Sequence, residues 1–214
     1  FRADAAGNVK GDGEYFFMVL NTDTYVGDGL QDVAHIPLRW IRKELSAAQQ
    51  DASVKHIFVF GHRPVQKVYS EFGINPGNDQ AKKFYRLLNN PTARTAAELK
   101  VANLNTKVRG YFCAHAHLMS TVQPDPNGTV QQLVCGSGGS EPDPTDLANV
   151  QPYPWFGFGL VGVNLDETVD AAFIGRNVHT ATTSTKGHWS EQEPLKLRGP
   201  NISGPGAKEA KTPK

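Results

Sequence analysis

The sequence is poor in cysteine, in long apolar runs and in net charge. Its 214 residues include two cysteines, Cys113 and Cys135, which excludes a disulfide-dense scaffold. Both are expected to be free buried thiols, although neighbouring positions on a sheet would also allow one bridge. No apolar stretch approaches the length of a membrane span. With 22 basic and 21 acidic residues the formal charge is +1, so no global field indicates nucleic acid or a membrane as partner.

Hydrophobic patterning predicts an α/β domain with a mixed sheet. One amphipathic helix is predicted from about Pro37 to Gln49, with proline at its first position. Two further helices are predicted, in DQAKKFYRLLNN and PTARTAAELKVANL. Strands are predicted in YFFMVL, IFVF, VRGYFC and QQLVC, the last after a hairpin signal at PDPNG, and as a pair in WFGFGLVGVNLDETVDAAFIGRN. The run IFVF fits a strand buried on both faces.

Domain organisation follows from the same patterning. Residues 1–178 hold the predicted elements, whereas residues 179–214 form a polar Pro/Gly/Lys-rich tail that we expect to be flexible. Within this tail, Lys186 to Lys214 has too few apolar residues to pack.

Histidines follow two of the predicted strands directly. IFVFGH ends at His62, and GYFCAHAH ends at His115 and His117. Because ligands of layered α/β folds collect beyond the carboxyl ends of the strands, these three imidazoles are candidates for one shared site. Imidazole is a common ligand of zinc, iron and manganese. A histidine at a strand end is also often only a solvated or hydrogen-bonded residue, and composition and spacing leave both interpretations open.

The order of the motifs indicates a protein family more specifically than any single motif does. In succession, the segments LNTD, PLRWIRKELSAA, GHRP, AHAH and VCGSGG resemble the C-terminal portion of a calcineurin-like metallophosphoesterase, of the purple-acid-phosphatase-like superfamily. The resemblance covers roughly residues 15–178, with Ala114 where the family has glycine. It implies part of a four-layer α/β/β/α sandwich with mixed sheets, and hydrolysis of a phosphate ester by a metal-bound hydroxide.

The resemblance also assigns roles to individual residues. It implies that His62 and His115 bind one metal ion and His117 a second, the ions being Fe, Zn or Mn. Arg63 is a candidate for pairing with substrate phosphate or, alternatively, for a surface ion pair. Backbone N–H groups of the turn that contains Gly138 and Gly139 are candidates for phosphate binding, or the turn is only a tight connection.

The family's earlier motifs, Asp-x-His, Gly-Asp and Gly-Asn-His-Asp/Glu, have no counterpart before Tyr15. They would supply the bridging aspartate and the acid that assists the leaving group. We therefore expect an N-terminal part to be missing and this fragment, with half of a dinuclear site, to be inactive or nearly so. The missing segment of the same domain is then an expected partner, together with a phosphate-ester substrate.

Two other hypotheses belong to different classes. The chain is either a catalytically inactive relative that serves as a binding module, or it holds a thiol or single-metal site made by Cys113 with His115 and His117. The sequence does not distinguish monoester, diester, nucleotide, lipid or protein substrates. Sequons at Asn127 and Asn201 are compatible with a secreted or periplasmic protein, and the compartment stays open.

Overall fold

A computed structural model describes residues 2–3, 9–10, 14–22, 36–65, 79–125, 127–138, 155–177, 190–191 and 195–197. Two α-helices and eleven strands occur within these ranges. The helices are α1 (Leu38–Gln50) and α2 (Asp79–Asn89). The strands are β1 (Arg2–Ala3), β2 (Val9–Lys10), β3 (Tyr15–Val19), β4 (His56–Phe60), β5 (Val108–Cys113), β6 (Met119–Val122), β7 (Gln131–Cys135), β8 (Trp155–Val163), β9 (Val169–Asn177), β10 (Ser190–Glu191) and β11 (Leu195–Leu197). Neither described helix is long and apolar enough to cross a membrane.

The central sheet has five strands in the order β3-β4-β5-β7-β6. Strands β3, β4, β5 and β7 are parallel, and β6 returns antiparallel to β7. The predicted burial of β4 on both faces is confirmed, since His56 to Val59 are all buried. The hairpin at PDPNG is confirmed as well, because it joins β6 to β7. Four parallel strands therefore present their carboxyl ends at one edge of the sheet.

Both helices pack on one face of this sheet. Ile41, Leu45 and Ala48 form the buried stripe of α1, as its amphipathic spacing predicts. They share a core with Phe84 and Leu88 of α2 and with alternate residues of the parallel strands. Helix α1 begins one residue after Pro37. The observed boundaries of α1 and α2 agree with the predicted ones to within about one residue.

A second sheet covers the other face. Strands β8 and β9 are antiparallel and turn at Asp166–Glu167, as predicted, and β10 and β11 pair with the other side of β9. Apolar side chains of both sheets form a separate core, to which β9 contributes Val169, Ala171 and Phe173. The helices, the mixed sheet and the antiparallel sheet thus form three layers, and β1 and β2 pair with each other in a separate two-stranded sheet.

The structure differs from the sequence-based prediction in the segment after α2 and at strand β6. The prediction of a helix in PTARTAAELKVANL is wrong, because the helical structure of this segment is limited to a 3₁₀ turn at Glu98–Lys100. Backbone N–H groups of Arg94 and Thr95 donate instead to the Glu98 carboxylate, which holds a compact loop. Strand β6 was not predicted. Of the proposed tail, β10 and β11 lie within the described residues, and its flexibility stays a prediction.

Candidate metal centre

The site lies where the four parallel strands end. Beyond β3 comes Thr22, beyond β4 come Gly61 and His62, and beyond β5 comes the loop that contains His115 and His117. Residues 136–138 follow β7 at the same edge. The parallel register of β3, β4, β5 and β7 brings these segments together, as expected for a binding edge of an α/β sheet.

His62 and His115 are in direct contact. Nε2 of His62 lies 3.1 Å from Nδ1 of His115, and the two rings meet edge to face with centroids 5.0 Å apart. His62 is exposed and His115 is half-buried, so the pair is open to solvent on one side. The predicted convergence of histidines from the ends of β4 and β5 is therefore present for these two residues.

The backbone beneath His62 is held by a buried threonine. Thr22, fully buried, accepts hydrogen bonds through Oγ1 from the N–H groups of His62 and Arg63, each at 2.8 Å. The His62 carbonyl in turn accepts from Ala114 N–H at 2.9 Å. Three strand ends are thus joined by short hydrogen bonds, which fix the position from which the His62 ring projects.

Gly61 is needed for this close packing. A Cβ atom at position 61 would lie 2.3 Å from the Tyr111 hydroxyl oxygen and 2.9 Å from Cγ2 of Thr22. That hydroxyl donates to the Arg63 carbonyl at 2.6 Å, so Tyr111 cannot move aside without loss of a buried hydrogen bond. The absence of a side chain at Gly61 therefore lets the backbone before His62 pack closely against Tyr111 and Thr22, as the small residue in the sequence indicates.

His115 adopts a backbone conformation that is unusual for its residue type. Its φ is +66°, in the left-handed region that costs an L-residue about 1–2 kcal/mol. His115 is the central residue of a narrow turn in which Ala116 N–H donates to the Ala114 carbonyl, and in the next turn Leu118 N–H donates to the Ala116 carbonyl. Such conformations cluster at ligand-binding and active sites, where the surrounding fold maintains them.

The separation of the two histidine nitrogens fits a shared cation. Two nitrogen ligands about 2.0–2.1 Å from one metal ion, at octahedral or tetrahedral angles, are roughly 2.9–3.4 Å apart. The observed 3.1 Å lies within this range, and it also fits an N–H···N hydrogen bond between the rings. His117 is half-buried in the same loop. Within the described ranges, no group of three or more His, Cys, Asp or Glu side chains is arranged to hold a metal ion.

The predicted substrate-binding residues are Arg63, Gly138 and Gly139, and the two that the structure describes differ in how accessible they are. Arg63 is 3 % exposed, so it is not the surface residue of the ion-pair alternative, and substrate reaches its guanidinium only if neighbours move. Gly138 is exposed, and a Cβ there would meet nothing within 4 Å. Gly139 lies outside the described residues. Gly136 is the glycine required by the turn, because a Cβ there would lie 1.8 Å from the Ala116 carbonyl oxygen.

Both cysteines are free thiols. Burial raises the pKa of Cys113 well above its usual value, with the neighbouring Cys135 thiol as a second cause. The Cys113 side chain belongs to the core on the helix side of the sheet and is 5 % exposed. A protonated, buried thiol is a poor nucleophile, and this disfavours the hypothesis of a thiol site.

Sequence reasoning missed three residues that shape this edge. Thr22 holds the backbone of His62, Tyr111 holds the Arg63 carbonyl, and Gln132 accepts through Oε1 from Val65 N–H at 2.7 Å. Each lies in or next to a predicted strand, where a polar residue has no distinguishing local pattern. Only the parallel register reveals their partners, which are 40 to 67 positions away in sequence.

Comparisons with protein-family models and with curated protein sequences found no match to this chain.

Proposed function

We propose that the protein is a metal-dependent phosphoesterase, in which His62 and His115 share one metal ion and His117 binds a second. The observation that carries the proposal is the contact between His62 and His115 across the ends of two parallel strands. Their nitrogen separation suits a single cation, and the left-handed backbone of His115 indicates a position maintained for a purpose other than stability.

The chain's own residues would hold and orient the reaction. Two cations, when bound, would supply Lewis acidity and make hydroxide available near neutral pH. The Thr22 hydrogen bonds keep the His62 backbone fixed, so the imidazole needs little reorganisation to bind. Backbone N–H groups of the turn at Gly138 and Gly139 are our candidates for binding phosphate oxygens, and Arg63 would join them if the loop around it opens.

The proposal includes ligands that these three histidines do not provide. In a four-layer α/β/β/α sandwich, a segment preceding Tyr15 in the complete protein would add the bridging aspartate and the acid for the leaving group. The edge strand β3 is compatible with such an addition, because Phe17 and Val19 are 55 % and 75 % exposed. Apolar side chains exposed in a row on an edge strand mark a surface that another element can cover.

The test is metal content and phosphatase activity of a longer protein that includes the preceding segment. We expect two metal ions per chain and hydrolysis of p-nitrophenyl phosphate or its bis ester. Activity should fall by at least about 100-fold in His62→Ala and in His115→Ala, as for loss of a metal ligand. Lys82→Ala, on the exposed side of α2, is the matched control and should change neither quantity. Absence of metal from the longer protein would refute the proposal.

The same experiment separates the binding-module alternative. An inactive relative would carry altered residues at the Asp-x-His and Gly-Asn-His positions upstream. It would fold normally and bind fewer than two metal ions, with no hydrolysis of either ester.

A further inference from the structure

A concave basic surface lies on the outer side of α1, formed by residues with no part in the histidine site. Arg39, Arg42 and Lys43 of α1 line one wall, and Arg94 lines the other, around a cavity of about 670 Å³. We call this surface the basic groove. The other lining residues that the structure describes are Ser46, Ala47, Gln50 and Thr92, none of which is acidic. In a chain with a net charge of +1, four cations in one concavity form a pronounced local excess.

Nearby carboxylates neutralise the groove only in part. Glu44 lies 3.7 Å from the Lys43 ammonium. The Glu98 carboxylate accepts hydrogen bonds from the N–H groups of Arg94 and Thr95 at 2.6 and 3.3 Å. These backbone hydrogen bonds are the main cause that lowers the pKa of Glu98, and the charges of Arg94 and Arg42 add to it. Two carboxylates therefore offset part of the charge of the four cations and leave the groove positive.

One arginine makes the groove a defined shape. The Arg42 guanidinium donates to the Ala93 carbonyl at 2.5 Å and so joins α1 to the loop that carries Thr92 and Arg94. The two walls are held at a set distance before any ligand arrives, which lowers the entropy cost of binding.

The arrangement of the cations suits linked phosphates. Arg39 and Lys43 are one helical turn apart, so their Cβ atoms are separated by about 6 Å. A guanidinium group can bind two phosphate oxygens at once. A second, more apolar cavity shares Arg39 and Lys43 and contains Trp40, whose side chain is 47 % exposed. An exposed indole next to cations is a surface on which a planar base can stack.

We propose that the basic groove binds a polyphosphate chain, either inorganic or as part of a nucleoside triphosphate. Arg39, Lys43 and Arg94 contact the phosphates, Arg42 sets the width of the groove, and Trp40 contacts the base if one is present. This proposal is independent of the proposed phosphoesterase activity.

The test is calorimetric titration of the metal-depleted full chain with tripolyphosphate and, separately, with ATP, after passage over a chelating resin. We expect saturable binding that weakens with added salt. The double variant Arg39→Gln/Lys43→Gln should weaken it by about tenfold or more, as for the loss of two charged hydrogen-bond donors. Arg94→Gln, on the opposite wall, should weaken it as well. Each variant should keep the thermal midpoint of the original chain, because these side chains are exposed.

Two matched controls make the result specific. Lys82→Gln/Lys83→Gln removes the same charge from α2, and His62→Ala alters the histidine site; neither should change the affinity for tripolyphosphate. Tighter binding of ATP that is lost in Trp40→Leu would assign a nucleotide as the ligand, and equal binding of both probes would assign the phosphate chain alone. No saturable binding, or equal weakening by the α2 variant or by His62→Ala, would overturn the proposal.

Discussion

Strand β4 has a histidine near each end, and the two ends of the central sheet use them in opposite ways. At the carboxyl end His62 is exposed and meets His115 through one ring-to-ring contact. At the amino end His56 is 1 % exposed and accepts, through Nδ1, a hydrogen bond from Nε of the equally buried Arg109 at 2.9 Å. The amino-edge histidine is thus held in a buried hydrogen bond, whereas the carboxyl-edge histidine His62 is open to solvent.

The amino edge is a connected polar network. Besides His56, Arg109 donates to the carbonyls of Thr106 and Lys55 at 3.0 and 2.7 Å. The Lys55 ammonium in turn lies 3.0 Å from Glu14 and 2.6 Å from Glu167, which stands at the β8–β9 turn. One buried guanidinium thus links the two central strands, and the adjoining lysine reaches the second sheet.

Removal of the buried guanidinium should have the largest effect on the fold. Arg109→Ala leaves acceptors of His56, Thr106 and Lys55 unsatisfied in the interior, and we expect the free energy of unfolding to fall by about 3–5 kcal/mol. Urea unfolding followed by circular dichroism measures it. Lys82→Ala, exposed on α2, should change it by less than about 0.5 kcal/mol. Similar values for the two variants would show that the network contributes little.

Gly61→Ala should have the next largest effect, because it forces the carboxyl edge apart. The new methyl group would overlap the Tyr111 hydroxyl and Thr22, and overpacking of this kind costs about 1–3 kcal/mol. Gly162→Ala in β8, where a Cβ meets nothing within 4 Å, is the control. Differential scanning calorimetry should show a lower midpoint for the first variant alone.

Acid should weaken the amino edge through His56. Burial and the neighbouring Arg109 lower the pKa of His56 below its usual value, so the folded protein binds fewer protons than the unfolded chain. The contribution is fully present above about pH 6.5 and is lost as pH falls below that value, with a slope of at most about 1.4 kcal/mol per pH unit. The groups that face His56 electrostatically are Arg109, Lys55, Glu14 and Glu167.

Urea unfolding between pH 7 and pH 5 tests this, with His56→Gln as the matched variant. Glutamine offers an uncharged oxygen to Arg109 Nε, so the free energy of unfolding of His56→Gln should vary less with pH over this range. A wild-type stability as flat as that of the variant would contradict the role given to His56.

The smallest effect concerns the strained histidine. His115→Gly removes the left-handed penalty but frees the unfolded chain, so the free energy of unfolding should stay constant or rise by up to about 1 kcal/mol. His117→Gly relieves no such penalty, because among described non-glycine residues only His115 and Glu167 have positive φ. It should therefore lower the free energy of unfolding by about 0.5–1 kcal/mol. Urea unfolding compares them. A larger loss in His115→Gly would mean that His115 is a structural residue.

The sequence predicts these two edges unequally, for physical reasons. Apolar runs identify β3, β4, β5 and β7, and small residues followed by histidine mark the strand ends that meet at the candidate site. His56 has no such pattern beside it, and nothing near it in sequence indicates its partner Arg109, 53 positions away. Strand β6 was missed because Met119–Val122 is short and lacks a clear alternation. The failed helix after α2 shows a local carboxylate overriding helix propensity.

The central claim is that His62 and His115 form part of a metal site whereas His56 does not, and imidazole ¹⁵N resonances test it within one sample. Titration of the full chain with Zn²⁺ should move the signals of His62 Nε2 and His115 Nδ1 together and leave His56 Nδ1 unchanged. His115→Gly should abolish the shift at His62. Zinc-dependent shifts at neither residue of the pair, or at His56 alone, would contradict the account.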